Sequence, residues 1–88
     1  MIKYKKTYFD RFDLGEQDFI YDEFEYIVNG AMVRADNIHH IQHGANKHDH
    51  INNLMALSYA NHTKAHSEQL TREYLLDIHL QYLNENPY

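Results

Sequence analysis

Apolar positions change their period along the chain, and each change marks an element. Between Lys3 and Leu14, Tyr4, Tyr8 and Phe12 recur every fourth residue with Phe9 alongside, which predicts a short amphipathic helix ended by Gly15. Its ring-rich face reads as core. Phe24–Val28 and Ala31–Ala35 flank Asn29-Gly30, a dipeptide that favours a two-residue hairpin turn, so a pair of strands is expected there. Asn37 to Ile41 predicts another strand. Gln42 to Asn52 is polar, with Gly44 and Asn46 as turn residues, and predicts a loop. Leu54 to Leu57 is short and apolar and would pair back as the second strand of a hairpin. Ser58 is a candidate N-cap for a helix over Tyr59 to Leu70, and Thr71 for a last helix over Arg72 to Asn84, before Pro87. On that last helix Tyr74, Leu75, Ile78, Tyr82 and Leu83 form an apolar face wide enough to cover the core and to meet a second subunit in a homodimer.

These elements make an α+β chain, and its length limits it to one small domain spanning 1–88, with a core motif at 36–70. Domains of this size often need a staple, such as a metal or a second subunit. Cysteine is absent, which removes disulfides and cysteine-based zinc sites. No apolar run reaches the length of a membrane span, and Met1-Ile2-Lys3-Tyr4-Lys5-Lys6 is not followed by the apolar core of a signal peptide. The expected compartment is the cytoplasm of a bacterial host cell. No repeat, linker or low-complexity segment interrupts the chain.

A formal charge of −5 argues against a nucleic-acid partner, because phosphate contacts come from basic surfaces. Its distribution weakens the objection. Seven of the 13 acids lie between Asp10 and Glu25, whereas Asp36 to His66 holds only Asp36 and Asp49 against Lys47 and Lys64. A divalent cation in this second region would tip it positive.

That region also carries seven of the eight histidines. His62 and His66, four apart in an expected helix, share one face and can aim their rings at one ion. His39 and His40 are neighbours on an expected strand and point to opposite faces, so one can bind the metal while the other meets a different reactant. His79, outside the region, reads as a surface or packing residue.

The order of these pieces, a histidine pair at His39-His40, then Asn53-Leu54, then His62-x-x-x-His66, resembles the HNH endonucleases, the ββα-metal or His-Me finger family, and among them small phage-like or mobile-element members. The resemblance runs from His39 to His66. It departs from the pattern of many relatives in lacking cysteine knuckles: Asp22 to Tyr26 has no cysteine, and Ser58 and Asn61 stand where a second pair would sit. The structural zinc of those relatives is therefore expected to be absent, with apolar packing and the 24–35 hairpin in its place.

The resemblance implies a ββα-metal core, a β-hairpin plus a metal-binding helix, with flanking terminal helices. It implies that His39, His62 and His66 hold one divalent ion, that His40 is the general base that takes a proton from water, and that Asn53 ties the hairpin strands together near His40. The expected reaction is hydrolysis of phosphodiester bonds of DNA, by nicking or double-strand cleavage, leaving 5′-phosphate and 3′-hydroxyl ends. Imidazole-rich sites favour zinc, nickel or cobalt and magnesium favours oxygen, so manganese, magnesium and zinc all remain candidates. His43, Lys47, His48, His50 and Lys64 are candidate phosphate contacts, the loop histidines also candidate extra ligands, and a protein partner such as phage packaging machinery can supply targeting. Two rival readings stand beside this one: a non-catalytic zinc-stabilised module that binds another protein, and a structural helical subunit whose histidines bind nothing.

Overall fold

The computed structural model describes residues 2–44 and 47–86; Asn46 and Pro87, assigned above to a turn and to the end of the last helix, lie outside them. Four helices surround one two-stranded sheet: α1 (Lys3–Arg11), α2 (Glu23–Asn29), β1 (Asn37–His40), β2 (Leu54–Leu57), α3 (Tyr59–His66) and α4 (Arg72–Glu85). The chain is thus α+β as expected, with a hairpin, a helix after it and helices on both flanks. Among the described residues no helix is long and apolar enough to cross a membrane.

Helix α1 stops earlier than Gly15. Asp13 adopts the left-handed conformation at φ 55, and Asp13 N and Leu14 N donate back to the carbonyls of Asp10 (3.2 Å) and Phe9 (2.8 Å). This is the closing pattern usually built on glycine, and aspartate tolerates it at modest cost.

The largest difference lies at 24–35, where the expected hairpin is not formed. Glu23–Asn29 is a helix instead. Asp22 is its N-cap, accepting from Glu25 N at 2.8 Å, and Gly30 ends it at φ 65. Asn-Gly supports either a hairpin turn or a helix stop, because both need a left-handed residue. The cap and the three-residue spacing of Phe24 and Ile27, which pack on the core, decide for the helix. Ala31–Ala35 runs extended but pairs elsewhere: Tyr21 and Arg34 form an isolated antiparallel bridge.

Strands β1 and β2 pair antiparallel, with His39 opposite Met55 and His40 opposite Leu54. Side chains alternate across the sheet, so each face has its own core. Met55 and Leu57 join Ile41, Leu75 and Ile78 under α2, α3 and α4, and Leu54 and Ala56 join Ile38 and Tyr8 under α1. Every side chain of β2 is buried, which explains why Leu54–Leu57 reads as a continuous apolar run. Ser58 and Thr71 cap α3 and α4 as expected, accepting from Asn61 N at 3.3 Å and Tyr74 N at 3.3 Å. Helix α3 ends at His66 rather than Leu70, because Glu68 turns left-handed at φ 63.

Polar groups run through this apolar middle. Glu23 is fully buried and accepts from Tyr8 Oη at 2.5 Å, Ala56 N at 3.0 Å and His79 Nδ1 at 2.5 Å. The other ring nitrogen of His79 faces the Ile51 carbonyl at 2.6 Å. With acceptor oxygens facing both of its ring nitrogens, His79 is in a setting that favours the doubly protonated ring. Burial alone would lower the pKa of His79, but the hydrogen bond and charge of Glu23, together with the Ile51 carbonyl, raise it above its ordinary value. His79 is wholly buried; packing, not surface, is its place.

Removing one member strands the other's charge, so His79→Ala should lower unfolding free energy by about 3–5 kcal/mol in urea titrations. Because the folded pKa of His79 is raised, the stability it adds is complete below its unfolded pKa, near 6.5. That contribution should fade as pH climbs through the folded value, and the fade should vanish in the double variant Glu23→Leu/His79→Leu.

Candidate metal centre

His39 points from β1 toward the face covered by α3, where His62 and His66 stand one turn apart. Four hydrogen bonds fix α3 in place. Ser58 N donates to the buried Asp22 at 2.7 Å, Asn61 Nδ2 donates to Asp22 at 2.9 Å and to Glu25 at 2.8 Å, and Tyr59 N donates to Asp36 at 2.9 Å. Asn61 is therefore a buried tether between α3 and α2.

The outcome is a three-imidazole cluster in which one nitrogen from each of His39, His62 and His66 lies within 4.8 Å of the others. Ring centroids are 5.0 Å apart for His39–His62, 5.4 Å for His39–His66 and 4.5 Å for His62–His66. Tetrahedral coordination at ordinary zinc–nitrogen lengths separates ligand nitrogens by about 3.3 Å. His62 Nε2 and His66 Nε2 are 3.1 Å apart. The donor set and its spacing therefore fit a single divalent cation.

Electrostatics favour the lone pairs. Burial, followed by the charges of His62, His43, His66 and His40, lowers the pKa of His39 to about 3. Burial and then His66 lower that of His62. Neutral imidazoles are the form that binds metal.

His40 faces the opposite side of the sheet and packs edge-on against Tyr4 of α1, with ring centroids 4.8 Å apart. Its Nε2 lies 2.8 Å from Asp49 Oδ1, and 11% of its side chain stays exposed. The hydrogen bond to His40 holds the Asp49 carboxyl below its usual pKa. Asp49 drew no attention in the sequence, since only the folded loop sets it against residue 40.

Asn53 is buried, with its carboxamide between two backbone stretches. Its Oδ1 accepts from Gln42 N at 2.7 Å, and its Nδ2 donates to His48 O at 2.8 Å. The side chain thus closes the 42–53 loop onto the end of β1, the side of the hairpin where His40 sits.

A cleft of about 420 Å³ opens beside the cluster, lined by His39, His43, His66, Arg72, Glu68 and Glu73 among others. His43 lies beside the cluster, its ring 5.2 Å from that of His39 and 5.8 Å from that of His66. Its pKa is lowered, chiefly by burial and then by Arg72. Arg72 was missed in the sequence because it reads as an ordinary first-turn helix residue. His48 and His50 instead line a separate groove with Lys3, Thr7 and Asp49, and Lys47 and Lys64 are exposed. Of the five candidate phosphate contacts, His43 lines the cleft beside the cluster, and His48 and His50 line a different groove.

No family model, curated protein or solved structure matches the chain. Cobalt titration tests the cluster directly. His39→Ala, His62→Ala and His66→Ala should each weaken binding at least ten-fold and flatten the visible absorption of the bound ion, whereas His48→Ala should leave both unchanged.

Proposed function

We propose that this chain is a metal-dependent endonuclease of the HNH type that hydrolyses phosphodiester bonds of DNA. The observation that carries the reading is the division of labour at one strand end: His39 joins His62 and His66, while its neighbour His40 is held separately and keeps contact with solvent. His39, His62 and His66 would hold the ion. A divalent cation there supplies positive charge that offsets the growing charge on the phosphate and the leaving oxygen.

The remaining work falls to the chain's own residues. His40 takes a proton from water, which makes the water a competent nucleophile at neutral pH. Asn53 keeps the loop beside His40 closed through its bonds to Gln42 and His48. Arg72 and His43, which line the cleft beside the cluster, would receive a backbone phosphate. A strand bound across the end of β1 can meet both faces of the hairpin. Few basic side chains surround the site, so affinity for DNA is weak and a protein partner would supply targeting.

A second reading draws on His43. Four imidazoles around one ion make a closed structural site, and a zinc-stabilised interaction module would need nothing more.

Nicking of supercoiled plasmid with manganese, magnesium or zinc separates the two. His40→Ala should reduce cleavage by roughly 100- to 10,000-fold while leaving cobalt affinity within about two-fold of the parent. A wild-type protein that binds its ion tightly and never nicks supports the interaction module instead. Arg72→Ala should weaken DNA binding alike for all sequences and lower the slope of log affinity against log salt by about 1.

A further inference from the structure

We infer that Asp49 is a positioning residue that fixes the proton of His40 on Nε2 and so makes Nδ1 the atom that accepts a proton from water. The inference rests on the hydrolytic reading above and adds a residue and an atom to it. An ionised carboxylate can only accept a hydrogen bond, so the ring nitrogen 2.8 Å from Asp49 Oδ1 must carry the hydrogen. A ring that acts as a base has only this one hydrogen, which leaves the lone pair on Nδ1. Among the described residues no group bonds to Nδ1, and no buried side-chain nitrogen is left without a partner, so Nδ1 is not sealed inside the protein.

Tertiary structure holds this pair together. Tyr4 packs edge-on against the His40 ring and limits its rotation. On the other side, Asn53 binds the carbonyl of His48, the residue before Asp49, and thereby anchors the carboxylate's own backbone. The buried asparagine thus acts on His40 through Asp49, a route that a reading of the histidines alone does not contain.

The step balances without another reactant. Water oxygen bonds to phosphorus as the bond from phosphorus to the 3′ oxygen breaks; the proton of that water goes to Nδ1, and the departing oxygen takes a proton from solvent. Asp49 keeps its hydrogen bond throughout and stabilises the doubly protonated ring that results.

Nitrogen-15 NMR of the imidazoles in the intact chain reads the proton position without any need for cleavage. Wild type should show His40 with hydrogen on Nε2, and Asp49→Ala should yield a mixture of the two forms. In plasmid nicking, Asp49→Ala and Asp49→Asn should lower kcat roughly 10- to 100-fold, with KM and cobalt affinity within about two-fold of wild type, and Asp49→Glu should recover part of the loss. Hydrogen on Nδ1 in the wild type, or wild-type kcat in both Asp49→Ala and Asp49→Asn, overturns the inference. An inactive wild type whose His40 carries its hydrogen on Nε2 overturns the catalytic role and leaves the placement of the proton standing, so the two failures are distinguishable.

Discussion

A buried ion pair holds this small domain together. Glu23 and His79 are both sealed from water, and between them they reach α1 through Tyr8, β2 through Ala56 N and the turn before Asn53 through Ile51 O. A chain of 88 residues has a thin core. Desolvating the two charges costs several kcal/mol, offset here because every polar atom involved finds a partner. Such a pair discriminates more than it stabilises: slipping α4 by one residue would leave a bare charge inside the protein.

The site inherits its geometry from that frame. Ile51, bonded to His79, lies two residues before Asn53, and Asn53 in turn holds the loop that carries Asp49. Asp22, the residue before Glu23, pins the start of α3 and hence the direction in which His62 and His66 point. One dipeptide, Asp22-Glu23, therefore serves both faces of the sheet. It lies in the acidic stretch of the chain, where charge alone suggests a solvated surface.

How much of this was legible in the sequence depends on the distance over which each signal acts. Caps at Ser58 and Thr71, the alternation that separates His39 from His40, and the four-residue spacing of His62 and His66 are local, and each shows directly. Helix α2 was hidden because a seven-residue segment of aromatic and β-branched residues around Asn-Gly satisfies strand rules as well as helix rules. Only the Asp22 cap and the packing of Phe24 and Ile27 separate them. His79, Asp49 and Arg72 were out of reach for another reason: each gains its meaning from a partner at least nine residues away, and no periodicity encodes such a meeting. An apolar face that includes a histidine is one usable hint, since a buried ring nitrogen needs a partner.

The proposed chemistry would depend on keeping two imidazole tasks separate on adjacent residues. A pleated strand does this at no cost, and the short β1 ends at His40, leaving that ring beside the loop and not inside the sheet. Anomalous diffraction from crystals of the intact chain soaked in manganese, with a short DNA duplex bound, tests the claim most directly. The expected result is one ion ligated by His39, His62 and His66, with at least one coordination position open to a phosphate oxygen and His40 on the far side of that phosphorus. An ion closed off by a fourth protein ligand, or an ion bound elsewhere in the molecule, would contradict it.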